Sequence, residues 1–327
     1  MIRAQELRKF FPFKKGLFGR EMALKAVDGV SLDVVENRVL GVVGESGSGK
    51  STLARMVTAL DRPTSGDVLF RGKSVFAMDR RELKEFRRSV QMIFQDPFAS
   101  LNPRATVFNT IAEPIKIHGL ARKKDIEQKV AGLLKDVGLG REIMHRYPHE
   151  FSGGQRQRIC IARALAVSPR LIVADEPLSA LDVSIQAQIL NILSGLKSRE
   201  RISFLFISHD LRVVEYLSDE VAVMYLGKVV ERSEAGMLFE KPLHPYTEVL
   251  FASAPAIKAR EMSGPSGQTK KEAPKGDIPS PIDIPPGCPF HPRCPKRFSS
   301  CDKAVPLLME PAGQPGRLVA CHLWNPV

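Results

Sequence analysis

The chain has 327 residues and a formal net charge of +12, with 43% hydrophobic and 26% charged residues, an ordinary balance for a globular protein with a sizeable core. The length fits about two domains, or one large domain with an appendage. No apolar run approaches the roughly 20 residues of a membrane helix, and the N-terminal MIRAQELRKF lacks the features of a signal peptide. We therefore expect a cytosolic protein that reaches a membrane only through partners.

The positive charge is scattered along the chain. It could serve nucleic acid, anionic lipid or a phosphate ligand, or simply solvate the surface. The densest basic group lies at 80–88, and aromatic residues make up only 7% of the chain. Base stacking needs exposed aromatic faces, and no aromatic cluster is present. The charge alone therefore does not identify a partner, and the motifs below lead us to expect no nucleic acid.

The first 35 residues or so alternate in polarity, which predicts strands on either side of a basic loop, Lys14 to Arg20. The apolar VLGVVG at 39–44 predicts a strand, a turn rich in Gly and Ser follows, and STLARMVTAL at 51–60 has helical spacing. A more polar, helical region is expected from about 80 to 150. It ends at the turn 152–154, before another helix.

Two more strands, LIVADEP at 171–177 and FLFISHD at 204–210, begin with a wholly apolar run and end in acids. Strands that are apolar on both faces and alternate with helices predict a mostly parallel sheet with both faces covered, so the fold class is α/β. After Pro255 the sequence becomes rich in Pro, Gly, Ser and Lys, which predicts a linker. A compact tail rich in Cys and Pro then runs from Cys288 to Trp324.

The turn after the strand at 39–44 matches the phosphate-loop pattern G-x-x-x-x-G-K-[ST]. Glycines let backbone N–H groups curl around phosphates, and the following helix adds its positive end. Lys50 is predicted to reach the outer phosphates and Ser51 to offer its hydroxyl to Mg²⁺. A chance Gly/Ser turn is the alternative, and the strand before and helix after count against it. The predicted ATP-binding residues here are Gly44, Glu45, Ser46, Gly47, Ser48, Gly49, Lys50, Ser51 and Thr52.

The acids that end the strand at 171–175 complete this site. Asp175 is predicted to hold Mg²⁺ directly or through water, and Glu176 to accept a proton from the attacking water. Adjacent acids could also be a solvated strand end, but a phosphate loop in the same chain favours the catalytic interpretation.

Four further motifs resemble those of one known protein superfamily. Phe151-Ser152-Gly153-Gly154-Gln155 resembles the ABC signature motif with Phe in place of Leu, and Ser179-Ala180-Leu181-Asp182 resembles the loop after the acidic strand. His209 resembles the switch histidine, and Gln95 the glutamine that follows the third core strand. Over roughly residues 1 to 255, the chain therefore resembles the ABC ATPase superfamily.

This resemblance implies a P-loop NTPase core with a RecA-like parallel sheet, an antiparallel β subdomain, and a helical subdomain at about 96–165. It also implies a head-to-tail dimer with ATP at the interface, where Ser152, Gly153, Gly154, Gln155 and Asp182 act on the partner's nucleotide. Glu176, His209 and Gln95 are the implied catalytic residues, and Gln95 would also contact Mg²⁺ and link the site to a membrane partner. Phe11 is expected to stack on adenine, with Phe13 as the rival.

His244-Pro245-Tyr246 resembles an extension found in ATPases of oligopeptide, dipeptide and nickel importers. The expected organisation is an ATPase domain at 1–240, this extension at 241–255, a linker at 256–286 and a Cys-rich tail at 287–327. Phe10 to Gly16 resembles the subunit that pairs with a sister ATPase. The resemblance therefore favours a heterodimer over a homodimer. It also implies two permeases and an extracytoplasmic substrate-binding protein, at the cytoplasmic face of the inner membrane.

Four of the five cysteines, Cys288, Cys294, Cys301 and Cys321, fall in the last forty residues, whereas Cys160 lies in a predicted helix and is expected in the core. Disulfides are not expected in a reducing cytosol. The paired spacing of zinc sites is absent, so the spacing leaves a metal site or unligated structural thiols, with His291 and His322 nearby. The stretch from Gly287 to Pro295 resembles peptide-importer ATPases that carry a [4Fe–4S] cluster, which implies one here on the four cysteines.

The cargo stays open at this level. The expected function is ATP-driven uptake of di- or oligopeptides, and importers of nickel, glutathione or opines share the same type of ATPase. A soluble ABC ATPase acting on ribosomes or DNA is a further alternative. It is disfavoured because the chain has neither two ATPase cores nor long coiled coils.

Overall fold

The computed structural model describes residues 1–14, 21–253 and 279–325. Most of the predicted basic loop and most of the predicted linker lie outside these residues. Strands of the described residues are β1 (Ile2–Lys14), β2 (Glu21–Val34), β3 (Val39–Val43), β4 (Ser65–Phe70), β5 (Lys73–Ser74), β6 (Val90–Ile93), β7 (Leu171–Asp175), β8 (Ser203–Ile207), β9 (Glu220–Tyr225), β10 (Lys228–Glu234) and β11 (Leu318–Val319).

Helices of the same residues connect and cover these strands. They are α1 (Lys50–Val57), α2 (Arg80–Ser89), α3 (Val107–His118), α4 (Ile126–Asp136), α5 (Gly153–Leu165), α6 (Val183–Glu200), α7 (Leu211–Leu217), α8 (Ala235–Glu240) and α9 (Pro245–Ser253). None of them is long and apolar enough to cross a membrane.

A seven-stranded sheet in the order β11-β10-β9-β3-β8-β7-β6 forms the centre of the fold. The strands from β9 to β6 are parallel, and β3, β7 and β8 are buried at every position. Strands that are buried on both faces must be apolar on both faces, which is the pattern that predicted them. The predicted mostly parallel sheet is confirmed.

One edge of this sheet is antiparallel. Strands β9 and β10 form a hairpin whose turn residues, Leu226 and Gly227, both have positive φ, at 42° and 78°. Two consecutive left-handed residues match the right-handed twist of a tight hairpin, so the chain reverses here instead of crossing over through a helix. Strand β11 then pairs antiparallel with β10.

A second sheet is antiparallel, in the order β2-β1-β4-β5. Strands β1 and β2 pair from Ile2↔Val34 to Lys14↔Glu21. Ile2, Ala4 and Leu7 are almost wholly buried against α1 and its neighbours. This sheet is the antiparallel subdomain that the sequence analysis expected.

The region expected to be helical, at about 80 to 150, contains one strand as well. β6 is a four-residue apolar run, VQMI, at the edge of the large sheet. So short a run cannot be told from a helix segment by periodicity. Helices α3, α4 and α5 then pack against one another beyond β6.

Residues 279–325, called the C-terminal segment below, consist mostly of turns, with a short 3₁₀ helix at His291–Arg293 and strand β11. One buried ion pair fastens the segment to β10. Arg317 Nη2 lies 3.2 Å from Glu231 Oε1, and the two side chains are 3% and 0% exposed. The same carboxylate accepts hydrogen bonds from the backbone N–H groups of Leu243 and His244, at 2.8 and 3.0 Å.

Candidate functional site

The loop between β3 and α1 has a backbone that glycine alone suits at two positions. Gly44 and Gly49 have φ of 152° and 101°. A Cβ at Gly44 would lie 2.2 Å from the Met224 carbonyl oxygen, and one at Gly49 would lie 2.1 Å from the Ala26 carbonyl oxygen. The loop is therefore pressed against two neighbouring backbones while it curls towards the start of α1.

Lys50 lies inside this loop and is only 5% exposed. Its Nζ donates to the carbonyl oxygens of Gly44 and Glu45, at 2.8 and 2.9 Å. Burial lowers the pKa of Lys50, while the carboxylates of Glu176, Asp175 and Glu45 act in the opposite direction. The lysine thus faces the acids that end β7.

Ser51 and Asp175, the two residues predicted to reach Mg²⁺, are in direct contact. Ser51 Oγ donates to Asp175 Oδ1 over 3.0 Å. Burial raises the pKa of Asp175, and the Ser51 hydrogen bond partly offsets that effect. A carboxylate and a hydroxyl beside a phosphate loop are a donor set that fits Mg²⁺, which binds proteins through few ligands and takes the rest from substrate phosphates and water.

Three predicted catalytic residues meet at one carboxylate oxygen. Gln95 Nε2 donates to Glu176 Oε2 over 3.0 Å, and His209 Nδ1 lies 3.2 Å from the same oxygen. Gln95 follows β6, Glu176 follows β7 and His209 follows β8, so the carboxyl ends of three adjacent parallel strands bring them together. Glu176 itself has φ of 45°, an uncommon backbone conformation for this residue type that is typical of functional sites.

The remaining predicted residues make other contacts. Ser152 caps α5, with its Oγ accepting from the Gln155 N–H, and Gly153 and Gly154 form the first turn of that helix. Asp182 is exposed at the start of α6, and Phe11 is 40% exposed on β1, with Lys9 Nζ 5.3 Å from its ring centroid. Within 1–14, 21–253 and 279–325, no hydrogen bond or ion pair joins these residues to the phosphate loop.

Two residues that sequence reasoning did not assign to the site reach the phosphate loop. Tyr246 accepts a hydrogen bond at its Oη from the Glu45 N–H, at 2.9 Å, and Arg293 contacts both carboxylate oxygens of Glu45, at 3.0 and 3.2 Å. Tyr246 belongs to a motif that had been noticed, but no local signal marks Arg293, because 248 positions separate it from Glu45.

Cys288, Cys294, Cys301 and Cys321 line one narrow cavity, together with His291 and His322. The four thiols are not joined as disulfides. Burial raises the pKa of Cys288 to about 11 and that of Cys321 to about 12. Cys160 lies elsewhere, buried in the main core with its Sγ 3.2 Å from Ser100 Oγ, as its sequence context predicted.

The structure does not support the predicted iron–sulfur site. No group of three or more His, Cys, Asp or Glu side chains in the described part of the chain is arranged to hold a metal ion. The four cysteines nevertheless share one small cavity, whose lining also includes three histidines and Lys296.

Comparison with known proteins decides the family. Residues 27–179 match the family model described as ABC transporter, and residues 230–301 match the model described as oligopeptide/dipeptide transporter, C-terminal region. The oligopeptide transport ATP-binding protein AppF of Bacillus subtilis is 47% identical, across 99% of this chain and 98% of its own length. The chain belongs to the ATP-binding proteins of the oligopeptide/dipeptide ABC transporter family.

Two further relatives agree with this membership. The dipeptide transport ATP-binding protein DppF of Escherichia coli is 43% identical to this ABC protein, across 98% of this chain and 93% of its own length. Among solved structures, a dimeric ATP-binding cassette, MJ0796, bound to ADP and phosphate superposes with a TM-score of 0.64 at 28% identity, covering 72% of this chain and 99% of that one. The ABC ATPase cassette fold and the assignment as an ATPase are confirmed.

Proposed function

We propose that this ABC ATPase powers the uptake of di- or oligopeptides through membrane permease subunits. The observation that carries the proposal is the near full-length match to transport ATP-binding proteins, which extends through the family-specific region at 230–301. A peptide cargo is favoured over nickel, glutathione or opines because the relatives reported above are named for oligopeptide and dipeptide transport.

In this proposal the phosphate loop, residues 44–52, holds the ATP phosphates, and Lys50 turns from its carbonyl partners towards the outer phosphates. Ser51, Asp175 and Gln95 hold Mg²⁺, whose chemistry when bound is to neutralise charge on the phosphates. Glu176 accepts a proton from the attacking water, and His209 contacts the γ-phosphate. The shared hydrogen bonds at Glu176 Oε2 support these roles, because they hold the base and its neighbours within reach of one another.

The proposed working unit is a head-to-tail pair with a second, homologous ATPase. Ser152, Gly153, Gly154, Gln155 and Asp182 would then act on the nucleotide held by the partner. The dimeric form of the similar cassette bound to ADP and phosphate supports this arrangement. Phe11, exposed on β1, is proposed to stack on adenine.

We infer the following organisation and setting for the chain. Residues 1–240 form the ATPase domain, with a helical subdomain at about 96–165. Residues 241–255 form the extension, 256–286 a linker and 287–327 the Cys-rich tail. The pair works with two permeases and an extracytoplasmic substrate-binding protein, at the cytoplasmic face of the inner membrane.

The uptake of labelled dipeptides and longer peptides by the source cells tests the cargo. Cells whose only copy carries Glu176→Gln should lose peptide uptake while they keep uptake of an unrelated amino acid. Retained peptide uptake together with lost nickel or glutathione uptake would move the proposal to another cargo of the same transporter type.

We further propose that Cys288, Cys294, Cys301 and Cys321 ligate a [4Fe–4S] cluster, whose chemistry is to cross-link a segment that has little core of its own. Convergence of the four thiols on one cavity supports this assignment. The test is iron and sulfide content, with visible absorption, after anaerobic purification. We expect Cys301→Ser to remove the iron and Cys160→Ser to keep it, whereas iron-free, colourless wild-type protein would overturn the assignment.

A further inference from the structure

Two parts of the chain that lie outside the ATPase motifs converge on one residue of the phosphate loop. The extension supplies Tyr246, whose Oη accepts from the Glu45 N–H over 2.9 Å. The C-terminal segment supplies Arg293, whose Nη1 and Nη2 contact Glu45 Oε2 and Oε1, at 3.0 and 3.2 Å. Glu45 is thus held through its backbone by one appendage and through its side chain by the other.

The ion pair between Arg293 and Glu45 is largely shielded from solvent and is packed against aromatic rings. The Arg293 side chain is 8% exposed and that of Glu45 is 25% exposed. Arg293 also lies 6.0 Å from the Phe290 ring centroid, and Phe290 packs edge-on against Tyr225 and Tyr246, at 5.4 Å from each ring. A fork-shaped, two-bond contact between Arg and a carboxylate fixes geometry as well as charge.

This contact bears directly on the nucleotide site. The Glu45 carbonyl oxygen is one of the two that accept a hydrogen bond from Lys50 Nζ. A shift of Glu45 would therefore move a hydrogen-bond acceptor of the lysine. The Glu45 carboxylate also puts a negative charge into a loop that must receive polyphosphate. Arg293 supplies the positive charge that compensates this carboxylate. Because the pair is little exposed, solvent screens the carboxylate charge only weakly.

We propose that Arg293 is a positioning residue for ATP binding, which holds and neutralises Glu45 and thereby makes nucleotide affinity depend on the docked C-terminal segment. The proposal rests on the phosphate loop as the ATP site and not on the cargo or on the iron–sulfur cluster.

The experiment measures ATP affinity of the full-length purified protein by titration calorimetry, with thermal unfolding as a check on folding. Arg293→Met should weaken ATP binding about tenfold, because an uncompensated Glu45 carboxylate repels the negatively charged phosphates. Lys296→Met is the matched control, because Lys296 ties the same segment to Glu248 at 2.7 Å without touching the loop. Lys296→Met should change ATP affinity by less than about twofold, because a partly exposed ion pair contributes little energy.

A second variant separates positioning from simple folding support. Adding Glu45→Gln to Arg293→Met removes the uncompensated charge and should restore affinity to within about threefold of wild type. Arg293→Lys should restore it only in part, because lysine cannot make the two-pronged contact. A merely structural arginine would not be rescued by a change in the phosphate loop.

Equal affinities for Arg293→Met and Lys296→Met would overturn the proposal. It would also fall if the double variant bound ATP as weakly as Arg293→Met alone, since the defect would then lie in folding of the segment. Either result leaves the peptide-import proposal standing, and a failure of peptide uptake would leave this one standing, because ATP binding by the purified chain is measured without permeases.

Discussion

The phosphate site and the C-terminal segment are stabilised by different means. Gln95, Glu176 and His209 follow β6, β7 and β8 of the large sheet. Because β7 and β8 are wholly buried, an apolar core positions these residues. The C-terminal segment has a two-residue strand and mostly turns, and its few buried apolar side chains pack into clusters shared with the rest of the chain. Specific polar contacts add to this packing, because Arg317 pairs with Glu231 and Arg293 pairs with Glu45.

This difference has consequences for what a single substitution does. Hydrophobic burial is spread over many side chains, so a polar change at the phosphate site should alter chemistry while the fold persists. A buried ion pair concentrates its effect in two side chains, and removal of one partner leaves the other charged and buried. Apart from Arg293, which contacts the phosphate loop, substitutions in the two regions should therefore separate activity from stability.

Glu176→Gln is expected to have the largest effect and to spare the fold. Turnover should fall about 10²–10⁴-fold, the range typical of losing a general base. ATP binding and thermal stability should stay close to wild type. Phosphate release measures turnover, and Glu127→Gln on the exposed face of α4 is the control, with turnover unchanged. Undiminished turnover in Glu176→Gln would exclude Glu176 as the base.

Arg317→Met should show the opposite behaviour. It leaves Glu231 buried without its ion-pair partner, and we expect the C-terminal segment to lose about 3–5 kcal/mol of stability. Hydrogen exchange of the amides at 316–320 measures the loss. Arg3→Met is the control, because Arg3 and Asp33 pair at 2.7 Å with side chains 62% and 45% exposed, and an exposed pair contributes less than about 1 kcal/mol. Equal protection in both variants would contradict the comparison.

Two glycines of the phosphate loop sharpen the comparison within one region. Gly49→Ala adds a Cβ 2.1 Å from the Ala26 carbonyl oxygen, whereas Gly47→Ala, at φ of 79°, meets no atom within 4 Å. Both substitutions carry the left-handed strain, and only the first must also displace the loop. We expect Gly49→Ala to weaken ATP binding at least about tenfold. Gly47→Ala should lose roughly half as much binding free energy as Gly49→Ala. Equal losses would mean that backbone strain alone governs the loop.

The sequence predicted what short-range patterns determine. Continuous apolar runs identified β3, β7 and β8, and the motif residues at their ends do come together at Lys50, Asp175 and Glu176. The same logic failed for β6, whose four residues are too few to show a period.

Contacts between distant parts of the chain were beyond the reach of these patterns. Arg293 and Glu45 lie 248 positions apart, and nothing in either neighbourhood specifies the other. The pairing of β11 with β10 rests on two residues of each strand. Such contacts depend on how the segment packs once the core has formed, so only the structure reveals them.

Affinity purification of the tagged protein from gently solubilised membranes of the source cells tests the central claim most directly. The account predicts recovery of two polytopic permeases and a second, homologous ATPase with the tagged chain. Recovery of the chain alone, or bound to ribosomes or DNA, would contradict its assignment as the motor of a peptide importer.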